Sequence, residues 1–245
     1  MLQLYNINKK YGSVEVLRNL NLNIPKGELL GLIGPNGAGK TTLLNLILFN
    51  LDFKGKIFIE DTPNFEYLKT HRDSIVYLPE EVFVYNFLTG LEFVNFILDL
   101  QNISFKKVED KIILLFELFE LTKYKNQLIL NYSLGMKRKI TLIAALVQSP
   151  KLMLLDEPVF GVDARSIIVF KKLLKYLSKT GVTIVLSTHI IDLIKNLCDS
   201  VAILFDKHIV VYERLEKIRI NEIENKYLDL VGCDVESLIN EFELL

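Results

Sequence analysis

A glycine-rich stretch near the N-terminus has the residue types that bind phosphate groups. Residues 34–42 match the phosphate-loop pattern Gly-x4-Gly-Lys-Ser/Thr. Glycines let the backbone curl so that successive N–H groups point at phosphate oxygens, and the start of a following helix adds partial positive charge. In this pattern the lysine supplies a cation for the β- and γ-phosphates, and the first threonine hydroxyl is a ligand for Mg²⁺. The predicted phosphate-binding residues are Gly34, Pro35, Asn36, Gly37, Ala38, Gly39, Lys40, Thr41 and Thr42.

A second pattern further along the chain supplies two acids. Four hydrophobic residues, 152–155, lead into Asp156, Glu157 and Pro158. An apolar strand that ends in two acids is the Walker B pattern, in which Asp156 holds Mg²⁺ directly or through water and Glu157 polarises the attacking water. By itself this segment also fits a strand that runs into an acidic turn. Beside a phosphate loop the Walker B interpretation is preferred, and the two motifs together predict a P-loop NTPase.

These residues need strands and helices to position them, and the apolar pattern indicates where those elements lie. Alternating apolar residues at 20, 22 and 24, with similar segments at 2–7 and 56–60, predict an N-terminal antiparallel β layer. An apolar run at 28–33 precedes the phosphate loop, and a helix is predicted over 41–51. The further apolar runs, which suit strands buried on both faces of a mainly parallel sheet, are 74–78, 151–155, 182–187 and 200–205.

Two segments with helical spacing, 92–121 and 136–148, interrupt these strands. The predicted fold is therefore α/β, with a P-loop core, a mainly parallel sheet, the N-terminal antiparallel β layer and an inserted all-α subdomain. We expect one ATPase domain over 1–235, with its α/β core at about 1–85 and 138–213 and the helical subdomain at about 86–137. A charged helical tail is predicted over 214–245.

Composition limits the classes of function. The 245 residues are 50% hydrophobic and carry a formal net charge of −1, which fits a chain with a large core and argues against a broad basic face for nucleic acid. The longest uncharged apolar stretch, 140–150, falls well short of the ~20 residues of a membrane-spanning helix. Cys198 and Cys233 lack the spacing of a metal or disulfide framework and are predicted to be reduced thiols.

Three further sequence features indicate which class of NTPase this is. Residues 132–136, Tyr-Ser-Leu-Gly-Met, open a helix shortly before the Asp156 strand, Ser187-Thr188-His189 ends the next buried strand, and Tyr11 precedes the phosphate loop. In this order the set resembles the ATPase subunit of an ATP-binding cassette (ABC) transporter, over residues 2 to about 235. The variant at 132–136, with Leu-Pro-Glu-Glu at 78–81 and Leu-Thr-Gly at 88–90, resembles a bacterial subset associated with export of drugs or peptide antibiotics.

The resemblance implies a role for each matching residue. Tyr11 corresponds to the aromatic that stacks on adenine, and Glu80 stands where the family usually has a glutamine that touches Mg²⁺ and the permease. Ser133 and Gly135 belong to the signature motif, in which Leu134 replaces a glycine and Met136 a glutamine. The remaining implied residues are Asp163, in the loop that crosses the dimer interface, and His189, the switch histidine beside the γ-phosphate, which is catalytic together with Glu157.

The resemblance also implies how such a chain works. Two ABC ATPase subunits, identical or different, close head to tail around ATP and Mg²⁺, and their opening and closing drives a separate transmembrane permease from the cytoplasmic face of the membrane. The aromatic run 82–87 is either the docking surface for that permease or ordinary subdomain packing. The basic run 137–139 is expected to be a solvated face of the signature helix rather than a site for acidic lipid.

Two other functions remain open at this point. A soluble ABC ATPase that acts on nucleic acid or ribosomes usually has two cassettes or a long coiled-coil insertion, and this chain has neither of these and no basic bias. A nucleotide or small-molecule kinase is the other P-loop candidate, and Ser133, Gly135 and His189 argue against it. We therefore expect no nucleic-acid partner.

Overall fold

The computed structural model describes residues 1–195, 197–216 and 220–232. The strands in chain order are β1 (Leu2–Tyr11), β2 (Val14–Ile24), β3 (Leu29–Ile33), β4 (Lys54–Ile59), β5 (Thr62–Pro63), β6 (Ile75–Leu78), β7 (Leu152–Asp156), β8 (Thr183–Thr188), β9 (Ser200–Phe205) and β10 (His208–Arg214). The helices are α1 (Lys40–Ile47), α2 (Asn64–Thr70), α3 (Gly90–Leu100), α4 (Phe105–Leu118), α5 (Leu134–Val147), α6 (Ala164–Lys179), α7 (Ile191–Ile194) and α8 (Ile220–Val231).

The strands form two sheets. The first is antiparallel, with order β2-β1-β4-β5, and the alternating residues Leu20, Leu22 and Ile24 are buried as their period predicts. The second has order β10-β9-β3-β8-β7-β6, and all its neighbouring pairs are parallel except β9 with β10. The predicted α/β architecture, with an antiparallel β layer and a mainly parallel sheet, is confirmed.

The parallel sheet separates two hydrophobic clusters. On β3, Leu29 and Ile33 belong to one cluster, whereas Leu30 and Leu32 belong to the other. Every residue of β3, β7 and β8 is buried, since both faces of these strands are covered. The carboxyl ends of these three strands are adjacent, because Ile33 pairs with Thr188 and Asp156 pairs with Ser187. The phosphate loop and the acid pair therefore leave the sheet side by side.

Helix α1 is shorter than the pattern predicts. It ends at Ile47 rather than at residue 51, since Phe49 takes a left-handed conformation at φ 55°. The buried side-chain amide of Asn64 donates hydrogen bonds to the carbonyl oxygens of Leu46 and Ile47, at 2.9 and 3.1 Å. These bonds satisfy carbonyls that have no partner inside the helix.

The helical insertion contains two helices where one continuous stretch at 92–121 was predicted. Helix α3 begins at a capping box, in which Thr89 Oγ1 accepts from the Glu92 N–H and the Glu92 carboxylate accepts from the Thr89 N–H. It ends at Leu100, and Asn102 takes a left-handed conformation in the turn before α4. Helix α5 packs against both α3 and α4 and runs across the predicted boundary at 137. The limits of the helical subdomain stay a prediction.

Sequence patterns alone did not predict α6 or β10. In α6 only Phe170 and Leu174 are buried apolar residues, so its apolar stripe is narrow. Part of the predicted charged tail is the helix α8, whose Ile223 is buried against the core. The predicted start of the helical tail at 214 is wrong, because Arg214 is the last residue of β10. Residues 217–219 and 233–245 of that tail, with Cys233, lie outside the described residues. Cys198 is a free, buried thiol, and burial raises its pKa.

Many apolar residues of the chain lie in these two clusters, in the interior of the molecule. No helix within the described ranges is long and apolar enough to cross a membrane.

Candidate nucleotide site

One pocket of about 650 Å³ opens at the carboxyl ends of β3, β7 and β8. It combines the phosphate loop with the acid pair and the histidine, three segments that are far apart in the sequence. Its lining residues are Val16, Asn36, Gly37, Ala38, Gly39, Lys40, Thr41, Thr42, Glu80, Asp156, Glu157, Phe160 and His189. This volume is in the range of ligand pockets that hold molecules of nucleotide size.

The phosphate loop has the backbone that its glycines allow. Gly37 and Gly39 lie at φ 80° and 104°, a left-handed region that disfavours side chains, and Gly39 stands directly before the first turn of α1. The loop N–H groups and the N-terminus of α1 thus lie at the pocket, a suitable arrangement for an anion. A Cβ at Gly34 would collide with the Leu204 carbonyl oxygen, so this position needs glycine for packing.

Lys40 folds back over its own loop. Its Nζ donates hydrogen bonds to the carbonyl oxygens of Gly34, at 2.7 Å, and Pro35, at 3.3 Å. Burial lowers the pKa of this ammonium, and the nearby carboxylates of Glu157 and Asp156 oppose that effect. The side chain is therefore a buried cation at a pocket whose other charged groups are mainly acids.

Asp156 ends β7 with one oxygen held and one free. Its Oδ1 accepts a hydrogen bond from the Ser187 hydroxyl on the neighbouring strand β8. Its Oδ2 is buried and has no hydrogen-bond partner among the described residues. An orphaned carboxylate oxygen in a buried site fits a hard divalent cation, and the Thr41 hydroxyl lines the same pocket.

Glu157 is held from several sides in an unusual backbone conformation. Its φ is 44°, which costs a non-glycine residue on the order of 1–3 kcal/mol. Its N–H donates to the Ser187 carbonyl oxygen at 3.0 Å, and its Oε2 accepts from the Thr188 hydroxyl at 3.1 Å. Its Oε1 lies 2.8 Å from Nδ1 of His189. Backbone and side chain are both fixed, with the carboxylate at the pocket wall.

The signature residues lie elsewhere. Ser133 caps α5, and its Oγ accepts from the Met136 N–H at 3.2 Å. A Cβ at Gly135 would come within 2.9 Å of the Gly161 carbonyl oxygen, so a side chain there needs that loop to shift. Neither residue lines the nucleotide pocket. Leu134, between them, is 59% exposed.

Four other predicted site residues also stand outside the pocket lining: Gly34 and Pro35, at the start of the phosphate loop, and Tyr11 and Asp163. Tyr11 is an exposed ring at the end of β1, with Lys9 Nζ 4.9 Å from its centroid. Asp163 caps α6 through the Ser166 N–H and forms an ion pair with Lys139, whose Nζ is 2.7 Å from Oδ2. Burial raises the pKa of Asp163, but the hydrogen bonds from Lys139 and Ser166 outweigh it and hold the pKa at about 2.

The interpretation of 137–139 as a solvated basic face is wrong for two of its three residues. Lys139 is buried in the ion pair with Asp163, and Arg138 is 1% exposed. The Arg138 guanidinium donates to the carbonyl oxygens of Pro79, Glu80 and Glu157. These are backbone acceptors on distant loops, which a charge pattern cannot reveal. Lys137 alone is at the surface, where it donates to Asn86 Oδ1.

Sequence reasoning missed two pocket residues, Val16 and Phe160. Val16 comes from β2 in the antiparallel sheet, and its approach to the loop depends on how the two sheets meet. Phe160 is an exposed aromatic three residues after Glu157. Its closeness in sequence to the Walker B acids could have indicated that it lines the pocket.

The parallel sheet, the phosphate loop and the acid pair at its carboxyl edge define a P-loop nucleotide-binding protein. The family model of ABC transporters matches residues 17–160. The chain belongs to the ABC transporter family.

Named relatives agree with this assignment. The bacitracin transport ATP-binding protein BcrA of Enterococcus faecalis is 32% identical over 94% of this chain and 73% of its own length. The lantibiotic transport ATP-binding protein SrtF of Streptococcus pyogenes is 32% identical over 91% of this chain and 97% of its own length. The predicted resemblance to an antibiotic-export-like bacterial subset is therefore confirmed.

Solved structures show the same fold. An ATP-binding subunit of an ABC transporter superposes with a TM-score of 0.86 at 27% identity, over 94% of this chain and 99% of that one. A dimeric post-hydrolysis state of the ATP-binding cassette MJ0796, bound to ADP and Pi, has a TM-score of 0.79 at 27% identity, over 89% of this chain and 100% of that one. The chain is an ABC-type ATPase and an ATP-binding subunit of a transporter. The nucleic-acid alternative has no support from these relatives.

Proposed function

We propose that this ATPase binds MgATP in the pocket, closes head to tail with a second ABC ATPase subunit, and drives a separate permease from the cytoplasmic face of the membrane. One observation carries the proposal. Ser133 and Gly135 belong to the motif that faces the γ-phosphate in this family, yet they do not line the pocket of their own chain. A partner's signature helix would complete the site.

Within one subunit, the loop N–H groups and the N-terminus of α1 would bind the phosphates. Lys40 would release the Gly34 carbonyl oxygen, 2.7 Å from its Nζ, and turn its ammonium to the β- and γ-phosphates. The exposed Tyr11 ring would stack on adenine. The exposure of this ring supports the role, since a stacking platform needs an open face.

The donor set also fits Mg²⁺. Thr41, Glu80 and the orphaned Oδ2 of Asp156 offer oxygen ligands at one pocket, and hard oxygen donors are what this ion prefers. When bound, Mg²⁺ neutralises negative charge on the phosphate oxygens. Ser187 and Thr188 keep the acids in place by donating to Asp156 and Glu157 respectively.

Glu157 is the proposed group that orients and polarises the attacking water. Its carboxylate is buried at the pocket wall and receives hydrogen bonds from fixed neighbours, so little reorganisation is needed when the water arrives. His189 is placed beside it and lines the same pocket, where its ring would face the γ-phosphate. The two side chains would thus act as the catalytic pair.

Linked dimers test the shared site. A chain with Lys40→Ala is joined to a chain with Ser133→Arg, and the controls are linked dimers that carry the same lesion in both halves. If sites are shared, the mixed dimer keeps one intact site and hydrolyses ATP at about half the rate of the unmutated linked dimer, since two equivalent interfaces form. Both controls should be inactive. An inactive mixed dimer would show that loop and signature serve the same site within one chain.

The permease would dock at the aromatic run 82–87, which connects β6 to α3. Phe83, Tyr85 and Phe87 are all exposed, Phe87 by 82%. A cavity of about 630 Å³ beside them is lined by Glu80, Glu81 and Phe83, among others, so the run adjoins the nucleotide site. Exposure of three aromatic rings favours docking over subdomain packing.

The cargo proposed from the relatives is a peptide antibiotic or a compound of similar amphipathic character, moved outward. A photo-crosslinking side chain at position 87 in cells tests the docking surface. It should capture an integral membrane protein, whereas the same side chain at Tyr176 on α6, which is also exposed, should not. Equal capture from both positions would rule out a specific docking face at 82–87.

A further inference from the structure

We propose that Arg138 is a positioning residue for ATP hydrolysis, which ties the signature helix α5 to the Glu80 loop and to the backbone of Glu157. This inference rests on the proposed role of Glu157 as the group that polarises water. It gives Arg138 no contact with nucleotide.

The Arg138 side chain makes three hydrogen bonds to backbone oxygens. Its Nη1 donates to Pro79 at 2.9 Å, and its Nη2 donates to Glu80 at 2.6 Å and to Glu157 at 3.0 Å. Pro79 and Glu80 follow β6, whereas Glu157 follows β7, so one guanidinium joins the ends of two strands. The guanidinium serves these acceptors from two nitrogens in fixed, separate positions, whereas a lysine would have to reach all three oxygens from one shorter-reaching nitrogen.

The bond to Glu157 matters because that residue is strained. Its φ of 44° is unfavourable for a side chain, and such a conformation persists only when its surroundings fix it. The Glu157 N–H is fixed by the Ser187 carbonyl oxygen at 3.0 Å. The Glu157 carbonyl oxygen accepts from Arg138 Nη2 at 3.0 Å and, over a longer 3.4 Å, from the Phe160 N–H. Without the guanidinium this carbonyl keeps only the longer bond, so the strained backbone is held less firmly and the carboxylate is freer to turn away from Thr188 and His189.

The charge of Arg138 also belongs to the site. Burial lowers the pKa of the guanidinium, and the carboxylates of Glu80, Asp156 and Glu157 oppose this effect. Its buried Nε has no hydrogen-bond partner among the residues that the structure describes. A buried donor without a partner is costly, so stability by itself would favour an apolar side chain here. The presence of an arginine at this position is explained by the hydrogen bonds that its other two nitrogens donate to Pro79, Glu80 and Glu157.

The position of Arg138 on α5 connects these hydrogen bonds to the proposed dimer interface. Helix α5 begins at Leu134, directly after Ser133, and Arg138 lies on its second turn. Any shift of α5 when Ser133 meets a partner's nucleotide would therefore reach the Glu80 loop and Glu157 together. The same residue would then set the position of the proposed metal ligand and of the catalytic carboxylate.

The test compares Arg138→Lys and Arg138→Ala with the matched variant Lys111→Met. Lys111, on α4, is also a cation that donates to two backbone oxygens, those of Val147 at 3.0 Å and Gln148 at 3.1 Å. These acceptors are at the C-terminal end of α5, far from Ser133 and Glu157. For both Arg138 variants kcat should fall at least about tenfold, since misplacement of a catalytic group costs this much or more. KM for ATP should change by no more than the several-fold that a displaced Glu80 would cause. Lys111→Met should lower the melting temperature and leave kcat unchanged.

Chemical rescue separates positioning from folding. Arg138 lines the open cavity beside the aromatic run, so guanidinium ion can reach the space that Arg138→Ala leaves. Millimolar guanidinium should restore part of the lost kcat, whereas methylammonium at the same concentration should not. A normal kcat in both Arg138 variants would overturn the inference, and so would a loss of kcat that follows the melting temperature equally in Arg138→Ala and Lys111→Met.

A parallel measurement on Glu157→Gln distinguishes failure of the proposed role of Arg138 from failure of the proposed role of Glu157. If Glu157→Gln is inactive and the Arg138 variants turn over normally, only the role of Arg138 fails. If Glu157→Gln turns over normally, the proposed role of Glu157 fails and the inference fails with it.

Discussion

Nδ1 of His189 lies 2.8 Å from Oε1 of Glu157, although the two residues are 32 positions apart. The contact exists because β7 and β8 are parallel neighbours, and Asp156 on one strand pairs with Ser187 on the other. The next residues on both strands therefore emerge together at the carboxyl edge of the sheet. The His189 ring and the Glu157 carboxylate constrain each other's orientation, so the two side chains act as a unit rather than as independent groups.

Replacing Glu157 by glutamine should separate binding from hydrolysis. Glutamine keeps the shape and an oxygen for the Thr188 hydroxyl, but it is too weak a base to polarise water, so kcat should fall by about 10²–10⁴-fold. ATP affinity should change little, and ATP-bound dimers should accumulate in light scattering after gel filtration. Glu117→Gln, at an exposed position on α4, is the control. Turnover at the normal rate would remove Glu157 from its proposed role.

Tyr11 should contribute through its ring and not through its hydroxyl. Stacking of a base on an aromatic side chain is worth about 1–3 kcal/mol, so Tyr11→Ala should weaken ATP binding by about 5- to 150-fold. Tyr11→Phe should bind ATP as the unmutated protein does. Titration with a fluorescent ATP analogue measures both. Equal losses in the two variants would indicate a hydrogen bond from the hydroxyl instead.

Glu80 should make ATP binding depend more strongly on Mg²⁺. Glu80 lines the pocket, where its carboxylate would repel metal-free ATP and attract the metal. Glu80→Gln removes one like charge near the phosphates, so it should bind ATP in the presence of chelator several-fold more tightly, for an interaction of about 1 kcal/mol. It should also gain less from added Mg²⁺.

The neighbouring Glu81 provides the control for that measurement. It is exposed and lines the cavity beside the aromatic run, but not the nucleotide pocket. Glu81→Gln should therefore leave the Mg²⁺ dependence of ATP affinity as it is in the unmutated protein. An identical dependence in all three proteins would show that Glu80 does not face the metal.

The ion pair between Lys139 and Asp163 should make stability depend on acid pH. The pKa of Asp163 is lowered from its ordinary 3.8 to about 2, so its charged form stabilises the fold above pH 4. That contribution is lost as the pH falls from about 4 to about 2, where the carboxylate becomes protonated in the folded protein as well. Because Asp163 is nearly half exposed and solvent screens the pair, Asp163→Asn should reduce the free energy of unfolding at pH 7 by about 1 kcal/mol.

Urea unfolding of both proteins at several pH values checks this expectation. Asparagine retains an oxygen that caps α6, so the comparison isolates the charge. The difference in unfolding free energy between the unmutated protein and the Asp163→Asn variant should shrink steadily below pH 4. A difference that stays constant down to pH 2 would mean that the charge of Asp163 makes no net contribution.

The phosphate loop could be predicted from sequence because its function resides in contiguous residues. The glycine conformations, the helix start and the lysine all follow from a nine-residue segment, and an apolar run before it marks β3. The acid pair is local in the same sense, since Asp156 and Glu157 follow directly on the run that forms β7. Parallel strands place such segments at the same edge of a sheet, so the general position of the site also follows.

Other features depend on contacts between residues distant in sequence. The left-handed Phe49 ends α1 early, where the pattern predicts a longer helix. The apolar stripe of α6 is so narrow that the helix is recognised only from the burial of Phe170 and Leu174 against the core. Val16 reaches the pocket from the other sheet. None of these follows from the period of the local sequence.

Arg138 marks the boundary between the two kinds of information most clearly. Within the sequence it is the middle of three basic residues, and such a run most often faces solvent. In the folded chain it is buried and donates to the carbonyl oxygens of Pro79, Glu80 and Glu157. Every residue has a backbone carbonyl, so the residue types in a sequence do not predict which carbonyls a side chain will contact. Only the tertiary structure, which brings the ends of β6 and β7 to one face of α5, decides that this guanidinium has them.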